Sequence, residues 1–282
     1  MQTPAGVITC SRGPVVVGVV NVTPDSFFDG GRHYDPPIHP GAAIAHGRAL
    51  IDAGADVVDV GGQSTRPGSE PVPEDVELDR VVPVVEALAA DGAVVSVDTT
   101  KAAVARAAVG AGAAVVNDVS AGALDHELVP TVAELGVSYV LMHMQGTPRT
   151  MQREPTYTDV VAEVFEFLAE GLERCAARGI EPTSVVVDPG IGFGKTVAHN
   201  LQLLRDVREL TSLGRPVMLG TSRKSFLGRI TGGLPADARL EASIATAALA
   251  VARGATIVRV HDVAETVRAL HAVHAVATGR WS

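Results

Sequence analysis

The chain has 282 residues, of which 46% are apolar, only 4% are aromatic and 20% are charged, with a formal net charge of −9. This much apolar content excludes a disordered chain, and the acidic balance excludes a protein that grips nucleic acid through a broad basic face. A small anionic ligand stays compatible, because a few local cations suffice to hold one.

From Val15 onward, short Val/Ile-rich runs alternate with longer Ala-rich segments. The runs cover 15–22, 56–62, 94–99, 114–120, 138–144, 184–191, 216–221 and 257–262. They are too short for helices and rich in β-branched residues, so they predict buried strands. Between them the pattern predicts helices over 41–53, 74–90, 101–111, 126–135, 159–177, 198–210, 239–253 and 264–277. Gly54, Gly112, Gly136, Gly179 and Gly254 stand where left-handed C-caps belong. At about 150 residues per domain the length allows two domains, but one α/β barrel takes about 250 residues. Eight regular βα units with no linker between them predict an α/β fold, a single (β/α)8 TIM barrel over residues 15–282. Residues 1–14 are expected to form a flexible N-terminal segment. An open doubly wound sheet would place a Gly-rich fingerprint after its first strand, whereas this chain has Asn21-Val22-Thr23-Pro24.

In such a barrel the chemistry sits at the C-terminal ends of the strands. Polar residues gather there in nearly every unit: Asn21, Asp59 with Gly61–Arg66, Asp98, Asn117-Asp118, His143, Asp188, Thr221–Ser225, and Arg259 with His261. Asp118 and Asp262 read as caps for the helices that follow, and His143 reads equally as a core histidine. Asp98, Asn117, Asp188, Lys224, Arg259 and His261 come from five strands to one mouth, where burying their charge without a ligand is costly. Two carboxylates and an amide carbonyl suit the donor edge of an aminopyrimidine. Lys224 suits a ring carbonyl or nitrogen, and the Arg259 guanidinium suits a heteroaromatic face. Asn21, Arg66 and His261 stand where an anion or a metal–phosphate would bind. Together they describe a nitrogen heterocycle carrying phosphate.

Segments 23–31 and 61–68 mix Gly and Pro with hydroxyls and charge, and read either as solvated turns or as mobile loops that close over substrate. Gly194-Lys195-Thr196 imitates the end of a P-loop, but position 189 is proline and the pattern fails there.

At these residues the sequence resembles dihydropteroate synthase, over about 15–278 and in register. The resemblance is carried by Asn21–Phe27, Gly61–Gly68, Val97–Thr99, Asn117–Ser120, Leu141–Pro148, Asp188–Lys195, Ser222–Gly228 and Arg259–Val263. It implies a transferase that condenses 6-hydroxymethyl-7,8-dihydropterin pyrophosphate with 4-aminobenzoate, giving 7,8-dihydropteroate and pyrophosphate in folate synthesis. It further implies that Asp98, Asn117, Asp188 and Lys224 hold the pterin and that Arg259 stacks on it. Asn21 and His261, with Arg66, would bind pyrophosphate, with Mg²⁺ on Asn21. Thr65, Arg66, Pro67, Phe193 and Ser225 would form the 4-aminobenzoate site, and Asp29 lies in the first closing loop. Asp98, Lys224, Arg259 and Asp29 are the expected catalytic residues. Gln63 stands where the family usually has Glu, Phe28 where Ser is common, and Thr100 and Ala121 replace Ser and Gly. Gln63 removes a charge near the second loop, where a metal- or loop-ordering contact would weaken.

Two readings compete with a synthase. A pterin-dependent methyltransferase barrel would share the pterin acceptors without needing loops 23–31, 61–68 and 222–228. A non-catalytic pterin-binding paralogue would be signalled by loss of Lys224, Arg259 or Arg66, and all three are present. Two cysteines, Cys10 and Cys175, exclude a disulfide framework and imply free thiols in a reducing compartment. Residues 1–13 lack an apolar signal core, and no run approaches the roughly 18 residues of a membrane span. The expectation is a cytoplasmic protein acting on small molecules, with no nucleic acid or membrane partner, and a homodimer through its last helices.

Overall fold

The computed structural model describes residues 13–23 and 40–280, together with the backbone of two short strands, β1 (Gln2–Thr3) and β2 (Gly6–Val7), which pair antiparallel. Eight further strands follow: β3 (Val15–Asn21), β4 (Val57–Gly61), β5 (Val95–Asp98), β6 (Val115–Asp118), β7 (Ser138–Met142), β8 (Val185–Asp188), β9 (Met218–Leu219) and β10 (Ile257–Val260). All lie parallel, in the spatial order β8-β7-β6-β5-β4-β3-β10-β9. A parallel bridge from Val187 to Val217, with the Val187 amide donating to the Pro216 carbonyl at 3.0 Å, joins β8 to β9 and closes the ring. The expected (β/α)8 barrel is the fold, and each predicted run contains one strand.

The outer layer consists of α1 (Pro40–Asp52), α2 (Glu74–Ala90), α3 (Ala102–Gly110), α4 (Leu128–Leu135), α5 (Val160–Ala177), α6 (Val197–Arg205), α7 (Val207–Thr211), α8 (Ser225–Ile230), α9 (Leu240–Ala252) and α10 (Val263–Thr278). The five glycines expected beyond helix ends all have positive φ, between 63° and 113°. Two differences from the sequence pattern stand out. The segment 198–210 forms two helices, α6 and α7, because Asp206 leaves helical geometry at φ −108° and ψ 26°. Aspartate is a weak helix former, so the break falls there. The short helix α8, inside the β9–α9 connection, had no periodic signal of its own.

Two apolar layers hold the barrel. Val16, Val58, Val97, Val116, Leu141 and Val187 face outward under the helices, in one continuous core with Leu88, Leu168 and Leu210. Val15, Val17, Val57, Val115, Val140 and Val186 face inward and fill the lower half of the barrel. Alternation along each strand sends one set to each face. It is also why a nearly aromatic-free chain suffices: valines of matched size fill a narrow ring. Above the inner valines the inward positions turn polar, and the site begins there.

The connection after β8 shows how tightly this end is built. Gly190 has φ +68°, and a Cβ there would lie 1.8 Å from the His143 carbonyl oxygen. Gly190→Ala is therefore expected to destabilise the protein by about 2 kcal/mol or more. Denaturant unfolding measures this; an unchanged midpoint would contradict the close approach.

Candidate active site

Strand register sets the height of each polar group. Asn21, Gly61, Asp98 and Asn117 pair in sequence across β3, β4, β5 and β6, so they share one level at the top of the barrel. Asp188 ends β8, and Met142 is its partner in register. Asp59 lies two residues before Gly61, on the same inward face and completely buried.

A single guanidinium joins two of these levels. Arg259 donates from Nε to Asp59 Oδ2 at 2.6 Å and from Nη2 to Asp98 Oδ2 at 2.8 Å. Asn117 Nδ2 donates to the same Asp59 oxygen at 2.9 Å. The Asn117 carbonyl oxygen is thereby left as an acceptor for the mouth. Asp59 Oδ1 meets no donor among the described residues. Asp59 also lines a cavity of about 20 Å³ with Ser96 and the inner valines, room enough for one water.

Asp188 accepts the Gly190 amide at 2.7 Å. Lys224, in the loop after β9, donates to the Ile191 carbonyl, and its ammonium lies 4.8 Å from the Phe193 ring centre. Arg223 holds that loop in place. It has φ +59°, its amide donates to Ser243 Oγ at 3.0 Å, and its guanidinium pairs with Asp262. Asp262 does occupy the N-cap position of α10, but its side chain binds Arg223 instead of capping. Asp118 is not the helix cap the sequence suggested, because Glu127 holds the N-cap position of α4; its carboxylate instead takes the Ser120 and Gly122 amides and the Tyr139 hydroxyl.

His261 Nδ1 lies 3.0 Å from Ser222 Oγ, which also accepts the His261 amide at 3.1 Å. In the tautomer where the Ser222 hydroxyl donates to Nδ1, the Nε2–H is left to donate. Burial, with Arg259 and Arg223 next, pushes the ring's pKa down to about 3, so His261 is neutral near pH 7. Arg66 is exposed, and its charge also reaches His261. Thr65 and Phe193 are half-buried, while Pro67 and Ser225 are exposed. Asp29 and most of the first loop lie outside the described residues.

Three residues that sequence reasoning left without a role belong to this end of the barrel. Asp59 is the first; a carboxylate at an inward position of a valine strand was the signal. The second is Lys195, discarded with the P-loop likeness. It is 2% exposed and donates to His143 Nδ1 at 2.8 Å and to the Phe193 carbonyl at 3.0 Å. His143 is in turn buried edge-on to Phe167, with its pKa lowered to about 3 by burial and by Lys195, which fits the core-histidine reading. The third is Glu77, 1% exposed, which accepts from Thr99 Oγ1 and pairs with Lys101. Lys101 also donates at 3.0 Å to Gln63 Oε1, which takes the Val72 amide as well. The neutral Gln63 thus still ties the second loop down, and Glu77 supplies the negative charge.

A barrel mouth with three hydrogen-bond acceptors, a lysine and a half-buried arginine is that of a pterin-binding barrel enzyme. The family model described as pterin binding enzyme matches residues 17–261. The chain is 50% identical over 272 residues to a dihydropteroate synthase of Mycobacterium leprae, covering 94% of each chain. The Yersinia pestis dihydropteroate synthase in complex with a sulfonamide drug superposes with a TM-score of 0.91 at 43% identity, covering 99% of both chains. That of Xanthomonas albilineans superposes at 0.88 with 4-aminobenzoic acid bound (47% identity, 96% and 95% covered). With 7,8-dihydropteroate bound the score is 0.84, at 45% identity and 96% coverage of both. The chain belongs to the dihydropteroate synthase family. Among the described residues no helix is long and apolar enough to cross a membrane.

The ionisation of the mouth has a narrow optimum. Burial raises the Asp98 carboxyl to about 7, against the opposing pull of Arg259. Burial lowers Lys224 to about 8, opposed by Asp188. Asp98 is charged above the first value and Lys224 below the second. A 2-amino-4-oxopyrimidine probe that donates to Asp98 and accepts from Lys224 should therefore bind best between pH 7 and 8 and weaken on both sides. Calorimetric titration across that range measures it; a flat profile would contradict the assignment.

Proposed function

We propose that this chain condenses 6-hydroxymethyl-7,8-dihydropterin pyrophosphate with 4-aminobenzoate, releasing 7,8-dihydropteroate and pyrophosphate. The observation that carries the reading is the convergence of Asp98, the Asn117 carbonyl and Asp188 beside Lys224 at the top of one barrel. The relatives that hold 4-aminobenzoic acid and 7,8-dihydropteroate support it.

Asp98, Asn117 and Asp188 accept from the aminopyrimidine edge, Lys224 donates to the ring, and the flat Arg259 guanidinium lies against its face. Neutral His261, with Arg66 and Asn21, receives the pyrophosphate through Nε2–H. The bond from the exocyclic carbon to the pyrophosphate oxygen breaks while the dihydropterin ring delocalises positive charge, which the Asp98 carboxylate offsets. The aromatic amine of 4-aminobenzoate then attacks that carbon, and the proton its nitrogen loses passes to the released pyrophosphate or to water. Its nitrogen is already nucleophilic, so Thr65, Arg66, Pro67, Phe193 and Ser225 act by positioning it. No enzyme nucleophile is required.

Among the described residues no cluster of three or more His, Cys, Asp or Glu could cage a metal. Mg²⁺ fits this mouth in another way, because it commonly takes one or two protein oxygens and completes its shell with water and substrate phosphate. The Asn21 amide oxygen, at the end of β3, would be that ligand. Mg²⁺ bound with the pyrophosphate supplies charge neutralisation to the leaving group.

The test is pyrophosphate release with both substrates and Mg²⁺. Lys224→Ala and Asp98→Ala should each lower turnover by about a hundredfold or more with circular dichroism unchanged. Wild-type rates in either variant would overturn the pocket assignment. The proposed setting is the cytoplasm, where a buried free thiol such as Cys175 stays reduced. We also place a second copy of the chain against α9 and α10, which expose Leu249 and Val276 at 42% and 88%. Light scattering should give twice the 29.1 kDa chain mass at all working concentrations, and a single-chain mass throughout would exclude the dimer.

A further inference from the structure

We infer that Asp59 is a positioning residue that makes the mouth selective for a ligand edge rich in donors. The inference rests on the pterin-binding reading above and names what sets its specificity.

An asparagine side chain offers a donor and an acceptor of nearly equal shape, so its amide faces a ligand either way unless a neighbour decides. Here the neighbour is an ionised carboxylate, which only accepts. Asp59 Oδ2 takes the Asn117 NH₂ at 2.9 Å and so turns the Asn117 carbonyl to the mouth. The same oxygen takes Arg259 Nε at 2.6 Å, which pins the guanidinium beneath the ligand plane and leaves Nη2 for Asp98. Asp59 is wholly buried, below the level of Asp98 and Asn117, and is not placed to touch a ligand lying on them. It acts through them. With Asp59 charged, every group at that edge of the mouth is an acceptor: Asp98, the Asn117 carbonyl and Asp188. An exocyclic 2-amino group is matched there, whereas a 2-oxo group would face oxygen.

The arrangement also couples Asp59 to the charge on Asp98. The groups acting on Asp98 are Arg259 from β10, Asp59 from β4, Glu77 from α2, Asp118 from β6 and Lys224 from the loop after β9. Burial is the main cause of the raised Asp98 pKa, and the like charge of Asp59 adds to it. Removing that charge lets Asp98 ionise at lower pH.

The experiment uses the full chain and two probes, pterin-6-carboxylate and its 2-oxo counterpart lumazine-6-carboxylate. Wild type should prefer the pterin. Failure of wild type to bind the pterin would overturn the pterin-binding reading and this inference with it. Asp59→Asn should bind the pterin about tenfold more weakly and prefer it by a smaller factor, since the Asn117 amide is then free to turn. The acid limb of its pterin-binding pH profile should also move to lower pH, which loss of stability alone would not cause. Unaltered preference together with an unshifted limb would sink the inference. Should Asp59→Asn fail to fold, hydrogen exchange of the Asn117 side-chain NH₂ in the wild-type chain decides. Slow exchange with and without pterin-6-carboxylate supports its bond to Asp59, and fast exchange in the free protein overturns it.

Discussion

The Arg259 guanidinium, held between Asp59 and Asp98 in the middle of the barrel, is the interaction on which the site depends. It brings one cation and two carboxylates into a place that water largely leaves. Removing either partner would strand a buried charge, and such breaks are costly. Both carboxylates have further work: Asp59 turns the Asn117 amide, and Asp98 faces the mouth. The position of the cation therefore sets the direction of the acceptors. This is how an acidic chain with a net charge of −9 offers a binding surface for a ligand with an anionic tail. The acidity is spread over the outside, while Lys224, Arg259 and Arg66 gather at one end.

A second layer of bonds holds the loops that carry the remaining groups. Lys195 binds the His143 ring and the Phe193 carbonyl, so the loop after β8 is sewn to the end of β7. Its neighbour Ile191 then presents a carbonyl to Lys224. Arg223 fixes the loop after β9 to the start of α10, next to His261. Lys101 ties Gln63 and the second loop to buried Glu77. In each case a long cationic side chain bridges two connections that lie far apart in sequence. The one exposed cation among the proposed ligands, Arg66, sits on the second loop.

Much of the fold was legible because a parallel barrel strand, buried on both faces, reads as a short β-branched run, and a glycine follows five of the predicted helices. Val15–Asn21 and Glu74–Ala90 fell where the pattern placed them. The break at Asp206 and the helix α8 were not legible, since a single weak helix former or six residues leave no periodic trace. Of the site, Asp98, Asn117, Asp188, Lys224 and Arg259 were readable as polar residues ending apolar strands. Asp59 was visible as an oddity, a carboxylate within a strand, but without a role. Lys195 had no legible role, because its motif only imitates a phosphate loop that fails at Pro189, and its side chain is taken up by carbonyls and a histidine ring.

The sequence by itself determined the eightfold alternation, the single barrel and the residues at the strand ends. Those properties follow from local periodicity and chain connectivity. The tertiary structure decided which polar groups meet. Asp59 and Arg259 are joined across the barrel interior by strand order and register, not by any spacing along the chain. The amide orientation of Asn117 follows from that meeting, while burial at the closed mouth is the main cause of the neutral state of His261 and the raised pKa of Asp98. Each depends on burial and on the charge of a neighbour brought near only when the ring closes.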